Sequence, residues 1–466
     1  MLAGQRPRRP PSCTDRFCYA YVHHDSRSLD QPRSFDSAAK TSNGFNLRLG
    51  DAMTAQVIGD TTGGRFCLGH SSEGSRRVPD RLSVNTSKAE VVIIGAGVIG
   101  LGIAWRLAAR KASVVVFDRG AAGAGASHAA AGMLAACAEA EPSEEALVAL
   151  GRESQVRWPA FAEELQQASG MDVELRPEGT LVVALTADDQ ERLLHQLAFA
   201  QKLGLPLRWI SAAEARRREP HLAGKLSGAV FSPEDHQVDN RKLVAALRIA
   251  GEAAGVRISE HRPVRAISST GGRVDGVMLS DGSKVAADVV VLAAGAWSRS
   301  IDGLEPEMRP PVRPIKGQML ALRMDRAAPL LSHVIWAPGV YLVPRRDGRL
   351  LVGATVEEKG YDMSLTAGGM LALLEAAWRT VPAVEELPIE EMWVGHRPGS
   401  RDDAPILGPG PRDGLVYATG HHRNGILLAP VTADAIARFV LDGVIETSIR
   451  AFGIERFATS MRAAAE

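Results

Sequence analysis

The sequence predicts an α/β protein in which a discontinuous Rossmann-type domain is interrupted by an inserted α+β domain with a mixed sheet. Three observations predict this fold class. A strand, glycine-rich turn, helix and second strand span residues 91–118, two further buried strands of the same type follow much later, and the segments between them contain short alternating strands. With 466 residues, the chain is long enough for two large domains.

The first unit begins with the apolar strand Val91–Ile94 and continues as Gly95-Ala96-Gly97-Val98-Ile99-Gly100, a helix over residues 101–111, a strand over 113–117 and Asp118. Gly95 allows the tight turn, Gly97 lets the backbone approach a pyrophosphate, and Gly100 lets helix and strand pack closely. The helix N-terminus offers free N–H groups to phosphates, and Asp118 is placed to accept hydrogen bonds from ribose hydroxyls. The pattern predicts a dinucleotide site and does not distinguish FAD from NAD.

The later strands belong to the same type of sheet. Residues 287–295 and 415–420 form buried apolar runs that end on glycine, which is typical of parallel strands. An NAD domain would continue with further βα units in sequence, whereas this chain proceeds from Asp118 into the small-residue segment 123–134. Such a loop can lie against a large planar cofactor, which favours FAD. The final helix is predicted over residues 426–441, and Gly443 ends it.

A hairpin is predicted in the inserted domain, with strands over residues 340–344 and 349–356. A two-residue turn at Asp347-Gly348 would place Tyr341 opposite Ala354. Tyr341, Val352, Ala354 and Val356 would then share one face of the sheet, and that face would line a pocket.

These elements divide the chain into three parts. The Rossmann-type domain is predicted to comprise residues 88–170, 236–304 and 393–466, and the inserted domain residues 171–235 and 305–392. Residues 1–87 lack a period-2 or period-3.6 apolar pattern and are predicted to be a disordered extension or the result of a start codon assigned too early. Cys13 and Cys18, with two histidines nearby, do not have the spacing of a zinc site, and no metal is predicted.

Composition argues against several classes of function. The 54 basic residues balance the 54 acidic ones, so no net charge attracts nucleic acid or an anionic membrane. The uncharged run between Glu90 and Arg106 is too short and too rich in glycine to span a bilayer. Three of the four cysteines lie in the first 67 residues, so the rest of the chain contains only Cys137. We therefore expect a soluble protein of the reducing cytoplasm.

Nine segments carry a resemblance to a known family. They are Gly95–Gly100, Ser127–Leu134, Asp239–Leu243, Gly295–Ser298, Lys316–Gln318, Tyr341–Arg345, Val352–Thr355, Gly395–Pro398 and Gly420–Pro430. Over residues 91–443 the chain resembles the D-amino-acid oxidase superfamily of FAD enzymes and, within it, the glycine oxidases of the thiamine pathway. The last segment discriminates most, since members with other substrates generally diverge there.

The resemblance implies an FAD-dependent amino-acid oxidase. A hydride would pass from the substrate Cα to flavin N5, and the resulting imine would be hydrolysed to glyoxylate, with O2 reduced to H2O2. Glycine is the implied substrate, with sarcosine or small D-amino acids as further ones, and iminoacetate would serve thiazole formation in thiamine biosynthesis. Implied partners are a thiazole synthase that receives the imine and further copies of this chain. Two alternatives stay open: a D-amino-acid or sarcosine dehydrogenase with another electron acceptor, and a noncatalytic FAD-binding partner protein.

The resemblance also implies a substrate site. Arg397 would clamp the substrate carboxylate, because a planar guanidinium can hold both oxygens at once. The alternative is a structural pair between Arg397 and Asp402 or Asp403. Tyr341 would be the second substrate contact, with Val356 as a steric wall nearby.

Contacts with FAD are carried over by position in the chain. They are Gly95, Gly97, Val98, Ile99, Gly100, Asp118, Arg119, Ala126, Ser127, Ala131, Gly132, Met133, Val264, Gly295, His421, His422, Asn424, Gly425, Ile426 and Leu427. Arg423, in the last of these segments, would lie beside the substrate or carry a solvated loop charge. His422 stands where the family usually has an aromatic residue, and His396 where it has an apolar one. FAD is expected to be non-covalent; the alternative is attachment through His128, one residue out of register with the histidine of covalent relatives.

Overall fold

Two eight-stranded sheets organise residues 88–457, the part of the chain that this computed structural model describes. The predictions made for residues 1–87, including the rejected zinc site, lie outside the described residues. Among the helices within the described residues, none combines the length and the apolar character needed to cross a membrane.

The described residues form eighteen strands and eight α-helices. The strands are β1 (Lys88–Ile94), β2 (Val114–Phe117), β3 (Met133–Leu134), β4 (Thr180–Ala184), β5 (Arg208–Ser211), β6 (Gly228–Ser232), β7 (His236–Gln237), β8 (Arg257–Ser259), β9 (Val264–Thr270), β10 (Arg273–Leu279), β11 (Lys284–Leu292), β12 (Arg313–Arg323), β13 (Val334–Ala337), β14 (Val340–Pro344), β15 (Arg349–Gly353), β16 (Ile389–Gly399), β17 (Ile406–Pro409) and β18 (Leu415–Thr419). The helices are α1 (Val98–Ala109), α2 (Ala126–Ala129), α3 (Glu145–Ser169), α4 (Ala187–Lys202), α5 (Ala212–Arg218), α6 (Asn240–Ala253), α7 (Ala367–Thr380) and α8 (Ala429–Asp442). Short 3-10 turns lie at Gly295–Ser300, Pro306–Met308, Pro382–Glu386, Thr447–Phe452 and Ile454–Phe457.

The first sheet has the order β17-β18-β11-β1-β2-β8, and β9 and β10 extend it beside β11. Its central strands β2, β1, β11 and β18 run parallel, which confirms the predicted Rossmann-type sheet. These strands are near-continuous apolar runs because they are buried on both faces. Helices α1, α3, α6 and α8 cover one face, and the opposite face packs against the β9–β10 hairpin. The carboxyl ends of β1 and β2 lead directly into the glycine-rich loop and Asp118, where open α/β sheets bind ligands.

The second sheet has the order β16-β12-β15-β14-β13-β4-β6-β5. One face packs against α7, and the other is turned toward Ala129, Ala131 and Met133 of the first layer. All but one of its strands lie within the predicted inserted segments; β16 spans residues 389–399 and crosses the predicted boundary at 393. Since β16 pairs with β12 through Gly399, the second sheet extends to that residue, past the predicted boundary at 393.

The predicted register of the hairpin is also wrong by one residue. Tyr341 pairs with Gly353, not with Ala354, and Arg345 N–H donates to the Arg349 carbonyl at 2.8 Å. The turn therefore contains three residues, 346–348, and ends on Gly348 in the left-handed region at φ +91°. A one-residue shift moves side chains to the opposite face. Val352 consequently packs on the α7 side, away from Tyr341.

Two predicted segment ends differ from the structure for simple reasons. Val356 lies beyond the end of β15, where its side chain is 37% exposed, so it is not part of the face that carries Tyr341. Helix α8 begins at Ala429 and not at Ile426, with Pro430 in its first turn, a position that proline tolerates because no helical N–H is lost there. The helix ends as predicted at Gly443, which has φ +69°.

Candidate active site

The glycine-rich loop after β1 can be formed only by glycine at two of its positions. A Cβ on Gly95, which has φ +108°, would lie 2.4 Å from the Ala293 carbonyl oxygen. A Cβ on Gly100 would lie 1.9 Å from the Gly95 carbonyl oxygen. Gly97 precedes α1 and has no side chain that could cap the helix. A Cβ on Gly97 would lie 3.2 Å from Ser127 Oγ, and the approach of a pyrophosphate to this N-terminus stays a prediction.

Polar side chains hold this loop in place and keep acceptor capacity beside it. Asp118 accepts from Ala96 N–H at 2.7 Å through one oxygen and from Gly120 N–H at 2.8 Å through the other, and each oxygen keeps further acceptor capacity for a ribose hydroxyl. Ser127 Oγ accepts from Val98 N–H at 2.9 Å, so the predicted flavin-side segment contacts the helix N-terminus directly. The neighbouring Arg119 lies over the ring of Trp297 at 4.3 Å.

The segment 131–133, predicted to lie beside the flavin, is fixed by a buried arginine. Arg345 donates to the carbonyl oxygens of Ala131 and Val238, both at 2.7 Å, and to Asn240 Oδ1 at 3.0 Å. Burial lowers the pKa of Arg345 to about 10, which still leaves it charged at neutral pH. Gly132 has φ +69°, and a Cβ there would lie 2.0 Å from the Val238 carbonyl oxygen. Sequence reasoning quoted Arg345 within a motif and gave it no role.

Arg397, the predicted carboxylate clamp, lies on β16 beside Tyr341. Its Nη1 donates to the Thr355 carbonyl oxygen at 3.1 Å, and its guanidinium packs over Gly317, where a Cβ would lie 2.6 Å away. Burial raises the pKa of the Tyr341 hydroxyl, and the adjacent Arg397 acts in the opposite direction. The structure thus brings together the two predicted substrate contacts, which lie 56 positions apart in the chain, counted from 341 to 397.

Arg397 remains available to a ligand. Among the described residues, no carboxylate lies within ion-pair distance of its guanidinium. Asp402, one of the two structural partners considered from the sequence, instead receives a fork of bonds from Arg456, at 2.7 and 3.0 Å. Asp403 lies 3.6 Å from His422 Nδ1.

Arg423 has two carboxylate partners that sequence reasoning missed. Its Nε donates to Glu139 at 2.6 Å, and its Nη2 donates to Glu144 at 2.9 Å. Burial alone would lower the pKa of Arg423. The charges of Glu139, Glu144 and Glu141 together outweigh this effect, so the pKa lies above its ordinary value. Burial raises the pKa of Glu139 to about 7, against the effect of Arg423. The charge of Arg423 is therefore compensated inside the protein, and it is not the solvated loop charge considered as its alternative.

The two histidines of the last motif are buried and neutral. Burial lowers the pKa of His421 to about 3, and its Nε2 lies 3.2 Å from Thr432 Oγ1 on α8. Burial also places the pKa of His422 well below its ordinary value, and the nearby guanidinium groups of Arg423 and Arg397 lower it further. His422 thus adds no charge of its own near these arginines.

The remaining predicted FAD contacts lie next to strands of the first sheet and in the chain before α8. Val264 begins β9, next to Arg262, whose N–H donates to the Asp118 carbonyl at 2.8 Å. Gly295 follows β11 and adopts φ +54°. The Leu427 carbonyl accepts from Trp158 Nε1 at 2.9 Å, so the chain before α8 is anchored to α3. Asn424, Gly425 and Ile426 lie in the same turn of chain between His421 and α8.

This combination of a Rossmann-type sheet, a dinucleotide loop and a second sheet that presents an available arginine defines a two-layered flavin oxidoreductase. The chain belongs to the DAO family of FAD dependent oxidoreductases, whose family model matches residues 90–439. The family resemblance and the choice of FAD over NAD are thereby confirmed.

The similar proteins include glycine oxidases. The chain is 39% identical over 359 residues to glycine oxidase from Geobacillus kaustophilus, covering 76% of this chain and 93% of the relative. The crystal structure of glycine oxidase from that organism matches with a TM-score of 0.75 at 37% identity, covering 79% of this chain and 99% of that chain. A bifunctional ThiO/ThiG protein from Synechocystis is 41% identical over 377 residues, which are 80% of this chain but 54% of that protein. The chain thus spans about half the length of its bifunctional relative.

Proposed function

We propose that this protein is an FAD-dependent glycine oxidase that produces iminoacetate for the thiazole of thiamine. The observation that carries this proposal is the arrangement of two arginines at one site. Arg397 has no carboxylate partner among the described residues and lies beside Tyr341, whereas Arg423 is compensated by two glutamates. A site with one available guanidinium fits a substrate with one carboxylate. The likeness to glycine oxidases supports glycine as that substrate.

Each side chain has a role that follows from its position. Arg397 binds the carboxylate through a fork of two charge-assisted hydrogen bonds and so orients the Cα. The Tyr341 hydroxyl, held un-ionised by burial, is a further donor to the substrate. Arg345 and Gly132 keep segment 131–133 in the shape required at the flavin. When bound, FAD supplies the acceptor for the hydride that leaves the substrate Cα.

The product chemistry sets the second part of the proposal. The imine of glycine hydrolyses in water, so its use in biosynthesis requires rapid transfer to the next enzyme. A relative carries ThiO and ThiG in one polypeptide. We propose that a thiazole synthase receives the imine here. Oxygen as the electron acceptor, the cytoplasmic location and a homo-oligomeric state stay predictions.

The test is anaerobic reduction of the purified holoprotein. Glycine is added without oxygen, and loss of the visible absorbance of oxidised flavin is followed in a stopped-flow instrument. We expect complete bleaching by glycine, with sarcosine and D-alanine as comparison substrates. The rates at which air and an artificial dye reoxidise the flavin are then compared, which separates an oxidase from a dehydrogenase. A flavin that none of these amines bleaches would show a noncatalytic FAD-binding protein and refute the proposal.

A further inference from the structure

An aromatic cluster joins the loop after β15 to the edge of the dinucleotide site. Tyr361 stacks on Trp297 with 5.4 Å between ring centroids and 16° between planes. Its hydroxyl donates to the Ala296 carbonyl oxygen at 2.9 Å. Trp297 in turn lies under the Arg119 guanidinium at 4.3 Å. A chain of direct contacts therefore runs from Tyr361 to the residue that follows Asp118.

The loop that carries Tyr361, residues 354–366, is pinned to β12 and β16 by buried polar side chains. Lys316 is fully buried and pairs with Asp362 at 2.5 Å. His396 Nε2 lies 3.1 Å from the Asp362 carbonyl oxygen, on the side of the ring cluster. Gln318 contacts Glu357 at 2.6 Å and Thr366 at 2.9 Å. The loop is thus held in one place although Tyr361 itself is 43% exposed.

The burial of a charged lysine to anchor this loop indicates a role beyond packing. Lysine is almost never fully buried unless it is paired, and the pair here fixes the residue next to Tyr361. The ring of Tyr361 covers Trp297, which lies beside Gly125, where a Cβ would be 3.9 Å from the indole. The hydrogen bond to Ala296 acts on the residue after Gly295. Gly125 and Ala296 are therefore each next in sequence to a predicted FAD contact, Ala126 and Gly295.

We propose that Tyr361 is a positioning residue for FAD, which acts through Trp297 and holds Arg119 and the backbone at Ala296 against the dinucleotide. This proposal rests on the FAD contacts assigned above to Arg119 and Gly295. It also explains the position of His396, an unusual residue for the family at that place, because its ring packs edge-on against both Trp297 and Tyr361. His396 thereby supports the same cluster.

The test measures FAD binding in place of turnover. Tyr361→Leu removes the ring and the hydroxyl, Tyr361→Phe removes only the hydroxyl, and Tyr361→Trp keeps a stacking ring. Apoprotein is titrated with FAD, and release from the holoprotein on dilution is followed by flavin fluorescence. We expect Tyr361→Leu to raise the Kd for FAD about tenfold, with Tyr361→Trp restoring most of the affinity. Trp378→Leu, an aromatic side chain of α7 that is 48% exposed, is the matched control and is expected to bind FAD like the wild type.

A double substitution tests the route. Arg119→Ala is expected to weaken FAD binding, and adding Tyr361→Leu should weaken it by less than the same change does in the wild type, because the part of its effect that passes through Trp297 to Arg119 is already lost and only the bond to Ala296 remains. An unchanged Kd in Tyr361→Leu would overturn the proposal, and so would fully additive effects or an Arg119→Ala protein with wild-type affinity. Failure of the proposed function is a separate result: wild-type holoprotein would then retain FAD yet show no bleaching by glycine.

Discussion

Replacement of Arg397 by lysine tests the central assignment, because lysine keeps the charge and removes the fork. The guanidinium lies over Gly317 with Nη1 bound to the Thr355 carbonyl at 3.1 Å, so its plane is oriented before substrate arrives. A lysine ammonium can neither hold both carboxylate oxygens in one plane nor maintain that backbone bond at the same time. Arg397→Met removes the charge as well and serves as the limiting case.

The magnitude follows from the number of bonds lost. A hydrogen bond to a charged group contributes about 1.5–3 kcal/mol, and lysine loses about one of the two that the fork makes. We therefore expect kcat/KM for glycine to fall roughly 10- to 150-fold in Arg397→Lys, and more than about 100-fold in Arg397→Met, where both bonds are lost. Most of the loss should lie in KM. Oxygen consumption over a range of glycine concentrations measures both constants, and the flavin spectrum reports whether the cofactor is retained.

Arg456→Lys is the matched control for this experiment. Arg456 makes a similar fork, but to Asp402 at the protein surface, and its replacement should leave glycine kinetics unchanged. If Arg397→Met retained FAD and oxidised glycine with the wild-type kcat/KM, Arg397 would not be the carboxylate clamp.

Two further predictions concern the groups around the site. Arg345→Met should lose FAD and reduce the free energy of unfolding by about 3–5 kcal/mol, because it leaves several buried acceptors without a donor. Flavin content and urea denaturation measure the two effects. A fully stable, yellow variant would contradict the role given to Arg345. Glu139 should make stability depend on pH. Its pKa is raised by burial from 4.5 to about 7 in the folded protein, so its stabilising contribution is complete below pH 4.5 and is lost as the pH rises through about 7. Glu139→Gln should therefore flatten the decline of stability between about pH 5 and 8, measured by urea denaturation at each pH, and an unaltered slope would refute this assignment.

The parts of the fold that sequence reasoning captured are those governed by local sterics. Gly95 and Gly100 could be recognised because the close approach of a strand and a helix leaves no room for a Cβ, whatever the rest of the chain does. The parallel strands could be recognised because strands buried on both faces need continuous apolar runs. Gly443 could be recognised because a left-handed residue commonly ends a helix.

The hairpin register shows where local reasoning ends. Asp347-Gly348 is compatible with a two-residue turn and also with the last two positions of a three-residue turn that ends on a left-handed glycine. The structure contains the second form, and a Cβ at Gly353 would lie 2.6 Å from the Tyr341 ring. The packing of Tyr341 against that glycine fits the observed register, in which the two residues are paired. Such a contact between strands is not visible in a linear pattern.

Arg423 shows the same limit for charge. Its partners Glu139 and Glu144 lie 284 and 279 positions away in the sequence, and no motif spacing links them to it. Taken by itself, the acidic segment 139–144 has the composition of a solvent-exposed turn. Its burial against the last motif is a consequence of how the chain closes on itself.

The contrast between the two arginines determines what the site can accept. Arg423 faces two carboxylates that the protein supplies, and the Glu139 charge extends to Tyr341, where it raises the pKa of the hydroxyl. Arg397 is the guanidinium that remains for a ligand. A substrate with one carboxylate therefore satisfies this end of the site. A second carboxylate on the substrate would have no cation of its own and would have to approach an acidic group. Like charges in contact are strongly unfavourable. We therefore expect the glutamates, together with the clamp, to favour substrates that carry one carboxylate.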